Sequence, residues 1–120
     1  MNAAAKKFVV QEHTRSSETH WDLMLESGGI LRTWRINTPP QHISNKPTSA
    51  EKIFDHDIKF LTYQGPVNNG LGSICIVDEG TFETLDETQE TIRLHLRGKI
   101  LFGTFALENI EHDHWRFFRS

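Results

Sequence analysis

At 120 residues the chain suits one domain with one core and is too short for two of ordinary size. Hydrophobic residues make up 37% and charged residues 24%, a globular balance in which no apolar run approaches the roughly 20 residues needed to cross a bilayer. The net charge of −3 excludes nucleic-acid binding through a large overall positive field, so any such binding requires a local basic patch or a metal ion. The lone Cys75 excludes an internal disulfide, and MNAAAKK at the start lacks the apolar stretch of a signal peptide. A cytoplasmic monomer without membrane association is the expectation.

In chain order, residues 1–6 are expected to be flexible and 7–120 to form the single domain. Lys7–Glu12 reads as a first strand, rich in β-branched and aromatic residues. Thr14–Thr19 reads as a polar loop, His20–Ser27 as a second strand, Gly28-Gly29 as a two-residue hairpin turn, and Ile30–Ile36 as a third strand. Centring the turn on the two glycines fixes the register: Ser27 pairs with Ile30, Leu23 with Trp34, Asp22 with Arg35 and Trp21 with Ile36. Leu23/Trp34 and Trp21/Ile36 then share an inner face, and Asp22/Arg35 and Met24/Thr33 an outer one. Asn37–Ser49 reads as a loop, and Thr48–Glu51 as a short helical turn capped by Thr48 or Ser49. Phe54–Lys59 is a polar link, Phe60–Tyr63 a short strand and Gln64–Gly72 a turn-rich loop. Ser73–Val77, Thr81–Leu85, Thr91–Arg97, Ile100–Glu108 and Trp115–Arg119 complete the strands, with turns at Asp78–Gly80, Asp86–Glu90, Gly98-Lys99 and Asn109–His114. About eight short strands with glycine turns every 8–12 residues predict an all-β fold, a small antiparallel β-barrel with a surface groove and at most one or two short helices.

The stretch His13–Asp22, HTRSSETHWD, carries the chemistry. In a strand, His20 and Asp22 point to one face, while Trp21, Leu23 and Leu25 point to the other. His13, at the end of the preceding strand, can close on the same spot. Two imidazoles and a carboxylate with room for water are a common way to hold a catalytic divalent metal. The register adds Arg35 opposite Asp22, which reads either as a cation for an anionic substrate or as an exposed cross-strand ion pair. Arg15 is a second candidate cation. His95, Arg93 and Arg97 share a face and read either as a DNA-backbone strip or as a solvated surface. Cys75 reads as a packing residue.

Taken in order, several short pieces resemble the 3′-phosphoesterase domain of bacterial DNA ligase D, including its stand-alone small-protein form. They are Gln11-Glu12-His13, His20-Trp21-Asp22, Leu25-Glu26 with Gly28-Gly29, Leu31 to Trp34, Pro39-Pro40, Asp55-His56, Asp78 to Phe82, and the closing run through Gly98, Gly103, Phe105, Leu107 and Trp115. The resemblance covers Phe8 to Phe118. It implies a compact β-barrel binding one Mn²⁺ through His13, His20 and Asp22, with His56 on the scissile phosphate and Gln11 as a supporting polar residue. It implies removal of a 3′-ribonucleoside and then a 3′-phosphate from DNA ends in repair, upstream of a separate ligase or polymerase. The chain departs from that pattern at Met24, Phe54 and Phe60, where the family carries an arginine, an acidic residue and a tyrosine. Arg35, with Arg15 behind it, is the expected replacement for the missing cation. The alternative is a non-catalytic or substrate-shifted relative that binds nucleic-acid ends or a protein partner.

Overall fold

Gly28 and Gly29 adopt φ of 58° and 88°, the left-handed region that a two-residue hairpin turn requires and that glycine enters at no steric cost. The strands they join, β2 (Glu18–Ser27) and β3 (Ile30–Ile36), pair in the expected register, Ser27 with Ile30 through Trp21 with Ile36. In this computed structural model residues 5–120 are described. The flexible segment expected at 1–6 lies outside them as far as residue 4, and strand β1 (Lys6–Arg15) begins one residue earlier than expected.

The remaining strands are β4 (Thr48–Asp57), β5 (Gly65–Val67), β6 (Gly72–Glu87), β7 (Thr91–Gly98), β8 (Phe102–Glu111) and β9 (His114–Arg119). They form one antiparallel sheet in the order β1-β2-β3-β4-β9-β8-β7-β6-β5, and a β1–β6 pairing closes it into a ring. Closure removes the free edges that an open sheet would expose. The expected small antiparallel barrel is therefore close to what is seen, with the three-residue β5 added beside β6. Among the described residues no helix is long and apolar enough to cross a membrane.

The ring encloses Phe8, Leu23, Trp34, Leu94, Phe105 and Phe117, each at most 1% exposed. Trp21 and Trp115 pack on the edge of this core. Arg32, placed by the register opposite Leu25, escapes as its stem allows: its guanidinium lies 5.3 Å from the Trp34 ring and bonds both Glu87 carboxylate oxygens at 3.2 Å.

Several local expectations are overturned. Thr14–Thr19 is not a loop: β1 runs to Arg15 and β2 starts at Glu18, with Ser16 at φ 55° in the turn. Thr48–Glu51 is not a helical turn but the start of β4, because its backbone pairs with both β3 and β9. Phe60–Tyr63 is not a strand: Ile58–Leu61 forms a 3₁₀ turn whose start is capped by the Asp57 carboxylate, which accepts from the Lys59 N–H at 2.9 Å. Phe60 and Leu61 press down on Val9, Met24 and Leu31, making a second small core outside the ring. The Met24/Thr33 part of the hairpin's outer face is thus covered, with Met24 1% and Thr33 0% exposed. Asp78–Gly80 is not a turn but the middle of the 16-residue β6, where Val77 is an extra residue between the Val10/Asp78 and Gln11/Ile76 pairs. Cys75 is exposed rather than packed. Partial burial and the Glu12 carboxylate push its thiol pKa up, which makes it a poor nucleophile.

Candidate metal and phosphate site

The tight β1–β2 turn sets His13 directly opposite His20 and Gln11 directly opposite Asp22. Because strand side chains alternate, these four and Arg15 with Glu18 share the outer face. The β2–β3 pairing then places Arg35 opposite Asp22 on the same face. On β4, Ile53 pairs with Thr33 and His56 with Leu31, so β4 advances three residues while β3 advances two. This bulge at Phe54-Asp55 reverses the alternation and brings His56, instead of Asp55, onto the outer face. A cleft of about 460 Å³ results, lined by Gln11, His13, Arg15, His20, Asp22, Arg35 and His56 but by neither Cys75 nor the Arg93, His95 and Arg97 strip.

His13 Nδ1 lies 3.1 Å from His20 Nε2, and His20 Nε2 lies 3.5 Å from Asp22 Oδ1. One ligand-capable atom from each of the three falls within 4.8 Å of the others. Donors bound at about 2.1 Å to a single ion, at angles near 90–110°, stand roughly 3.0–3.5 Å apart, so the two closest separations fit a shared cation. Asp22 is 3% exposed, and its Oδ1 is buried with no hydrogen-bond partner. A desolvated carboxylate oxygen of this kind is stable only beside positive charge. Burial first, and His20 second, lower the pKa of His13, which keeps its lone pair free for coordination. Gly72 makes room for the His13 ring: a Cβ there would sit 3.0 Å from His13 Nε2. The residues present therefore fit a divalent metal.

Arg35 is not half of a solvated surface pair. Its Nε lies 3.7 Å from the buried Asp22 Oδ1 and is itself buried without a hydrogen-bond partner, while the side chain is 39% exposed. It lines the cleft as a cation partly open to solvent and within ion-pair range of Asp22. Arg15 stands exposed at the rim, in β1 and not in a loop. On β7, Arg93 and Arg97 are exposed and His95 half-buried, with Arg97 3.5 Å from Glu83.

Gln11 is 1% exposed, and its amide donates to the carbonyls of Phe60 at 2.6 Å and Tyr63 at 3.4 Å. It ties the 3₁₀ turn to the floor of the cleft. His56 Nδ1 lies 2.9 Å from Thr33 Oγ1 and 3.1 Å from the Phe54 carbonyl. The carbonyl can only accept, and the Thr33 hydroxyl donates to the Leu31 carbonyl at 3.0 Å. Nδ1 therefore carries the proton, leaving Nε2 as the free nitrogen. Burial lowers the His56 pKa from 6.5, against the opposing pull of Asp22 and the Phe54 carbonyl. Its imidazole is expected to titrate below 6.5 in the metal-free protein, and to shift upward when an anion enters the cleft. A ¹H–¹⁵N NMR titration with and without inorganic phosphate measures both; a midpoint at or above 6.5 without phosphate contradicts the buried, neutral assignment. Thr33 and Gly72 are not singled out as site residues by the sequence, where Phe54 and Phe60 figure only as departures from the family pattern. The hairpin register carried a signal for Thr33, since it puts Met24/Thr33 two pairs from Asp22/Arg35 and so on the same face.

The model of the DNA ligase D 3′-phosphoesterase domain matches residues 11–109. The chain is 30% identical over 125 residues to the multifunctional non-homologous end joining protein LigD of Mycolicibacterium smegmatis, with 91% of this chain and 16% of that protein covered. It is 29% identical over 121 residues to the LigD DNA repair protein of Mycobacterium tuberculosis, with 90% of this chain and 15% of that protein covered. It thus spans about a sixth of the length of these relatives. With the matching region taking in His13, His20, Asp22, Arg35 and His56, the chain belongs to the DNA ligase D 3′-phosphoesterase domain family.

Proposed function

We propose that this chain is a Mn²⁺-dependent 3′-end-healing phosphoesterase, removing a 3′-ribonucleoside and then a 3′-phosphate from DNA ends. The observation that carries the reading is the convergence of His13, His20 and Asp22 on one point of a cleft that also holds Arg35 and His56. Bound by those three residues, a divalent cation supplies charge neutralisation at the phosphate oxygens and Lewis-acid activation of water. The rest falls to the chain itself. Arg35 offers guanidinium donors to the phosphate oxygens, a charge-assisted contact worth more in a partly desolvated cleft than in water. His56, neutral in the free protein, takes up a proton as the anionic substrate arrives and donates from Nε2 to the phosphate or the departing oxygen. Gln11 and Thr33 hold the floor and the His56 ring in place.

The product, a DNA 3′-OH, is what a separate polymerase or ligase consumes, so this reaction sits upstream of end extension or sealing. The same class of reaction is in keeping with the end-joining names of the relatives, of which this chain covers only a small part. Primer-templates ending in a 3′-ribonucleotide or a 3′-phosphate, assayed with Mn²⁺ and with EDTA, test the reading. Wild type should yield a 3′-OH only with metal, His20→Ala should yield none, and Arg35→Ala should lose about 10- to 100-fold in kcat/KM. No metal-dependent product from either end would move the chain to the class of non-catalytic binders. Unchanged kcat/KM in Arg35→Ala would remove Arg35 from the site chemistry.

A further inference from the structure

We propose that Phe54 is a stacking platform for the nucleobase of the terminal nucleotide, the one whose 3′-phosphate enters the cleft. The inference rests on the phosphoesterase reading and adds the part of the substrate that lies beyond the phosphate. Phe54 is 74% exposed, the most exposed large hydrophobic side chain among the described residues, and the one exposed large hydrophobic that lines the cleft. Its ring is not loose. It stacks on His56 with centroids 4.6 Å apart and planes 17° from parallel, and Phe60 also packs on His56, edge-on at 5.8 Å. His56 is in turn fixed through Nδ1 by Thr33 and by the carbonyl of Phe54 itself. One face of the phenyl ring is therefore covered by an immobilised imidazole, while the side chain as a whole stays open to solvent. A flat apolar surface held rigid beside a phosphate-binding histidine matches the geometry of a nucleotide, in which a base lies within a few bonds of its phosphate. Stacking on an aromatic face also tolerates every base, as an enzyme acting on arbitrary DNA ends requires.

The surface past Phe54 argues that the grip is on a base and not on further backbone. The adjoining groove is lined by Glu51, Asp55 and Asp113, and its one cation, Lys52, is engaged by the Ile53 carbonyl at 2.6 Å and by Asp55 at 3.4 Å. Such a groove repels a phosphodiester chain. Phe54 lines both this groove and the cleft, so it stands where a bound end leaves the cationic site and meets acidic surface. An uncharged ring holds the terminal base there without adding to that repulsion.

The test is equilibrium binding, by fluorescence anisotropy in EDTA, of two single-stranded oligonucleotides ending in a 3′-phosphate. In one the terminal nucleotide carries its base, and in the other it is an abasic analogue. Base–aromatic stacking of about 1–3 kcal/mol corresponds to a preference of roughly 5- to 150-fold. Wild type should bind the base-bearing end tighter by a factor in that range. Phe54→Ala should bind both ends alike, and Phe54→Trp should keep the preference. At 74% exposure the side chain contributes little to folding, so the alanine variant reports on binding. Equal or immeasurable affinity of wild type for the two ends overturns the platform, as does a preference that survives in Phe54→Ala. Turnover of the same ends with Mn²⁺ reports separately on the chemistry. Turnover without base preference leaves the phosphoesterase reading standing and removes Phe54, whereas base preference without turnover does the reverse.

Discussion

Asp22→Asn should lose on the order of 10²–10³-fold in turnover of a DNA 3′-phosphate while the metal-free fold keeps its stability to within about 1 kcal/mol. The two halves of this result come from the same atom. Asp22 Oδ1 is buried, accepts no hydrogen bond, and has His20 Nε2 at 3.5 Å and Arg35 Nε at 3.7 Å. Without a bound cation, that carboxylate is a desolvated charge only partly compensated, and an isosteric amide relieves the penalty. With a cation present, the carboxylate is the one anionic ligand of the three, and the amide removes it. Thermal denaturation separates these effects. Wild type should gain about 2.7 kcal/mol when Mn²⁺ is at 100 times its Kd, and the variant should gain far less at the same concentration. Equal stabilisation of both proteins by Mn²⁺ would show that Asp22 is not a ligand.

The second large effect lies away from the site. Asp78→Ala should destabilise the fold by about 3–5 kcal/mol in chemical denaturation. Asp78 is 3% exposed. Its carboxylate accepts from the backbone N–H groups of Lys99 at 2.8 Å, Ile100 at 3.2 Å, Leu101 at 2.7 Å and Glu79 at 3.0 Å. Removing it leaves three donors without their partner at the β7–β8 turn, the one on Leu101 buried, and a fourth, Glu79, on β6. The neighbouring glycines are there for the same reason. A Cβ on Gly98 would come within 2.6 Å of Asp78 Oδ2 and of the Phe8 ring, and one on Gly80 would run into the Arg97 carbonyl. Gly80→Ala therefore forces the β6 and β7 backbones apart and should cost a comparable amount. A loss under about 1 kcal/mol for Asp78→Ala would mean the turn finds other acceptors.

These two regions also show what the sequence can and cannot convey. The His20/Asp22 spacing and the Gly28-Gly29 turn are local patterns with a period of two, and they were sufficient to put His20, Asp22 and Arg35 on one face in the correct register. Where the alternation is broken by an extra residue, local reading fails. Asp78-Glu79-Gly80 has turn composition, yet the aspartate is a buried acceptor for a distant turn and the glycine permits close approach of β7. Neither fact is visible within a short window. The bulge at Phe54-Asp55 likewise decides that His56 shares the cleft with His13, His20 and Asp22, and it depends on pairing with β3 across a loop. The Thr48–Glu51 segment has good cap residues, but two flanking strands claim its backbone groups, and tertiary pairing outweighs a weak helical preference. Met24 and Phe60 make sense together only in three dimensions, as parts of the small core that the 3₁₀ turn clamps over the hairpin.

The most direct test of the proposed metal centre is a Mn²⁺ titration followed by electron paramagnetic resonance of the free ion. One Mn²⁺ per chain should leave the free-ion signal in wild type, and none should be lost at the same concentrations in His20→Ala. Stoichiometric binding that survives in His20→Ala, or no binding by wild type, would contradict a centre built on His13, His20 and Asp22.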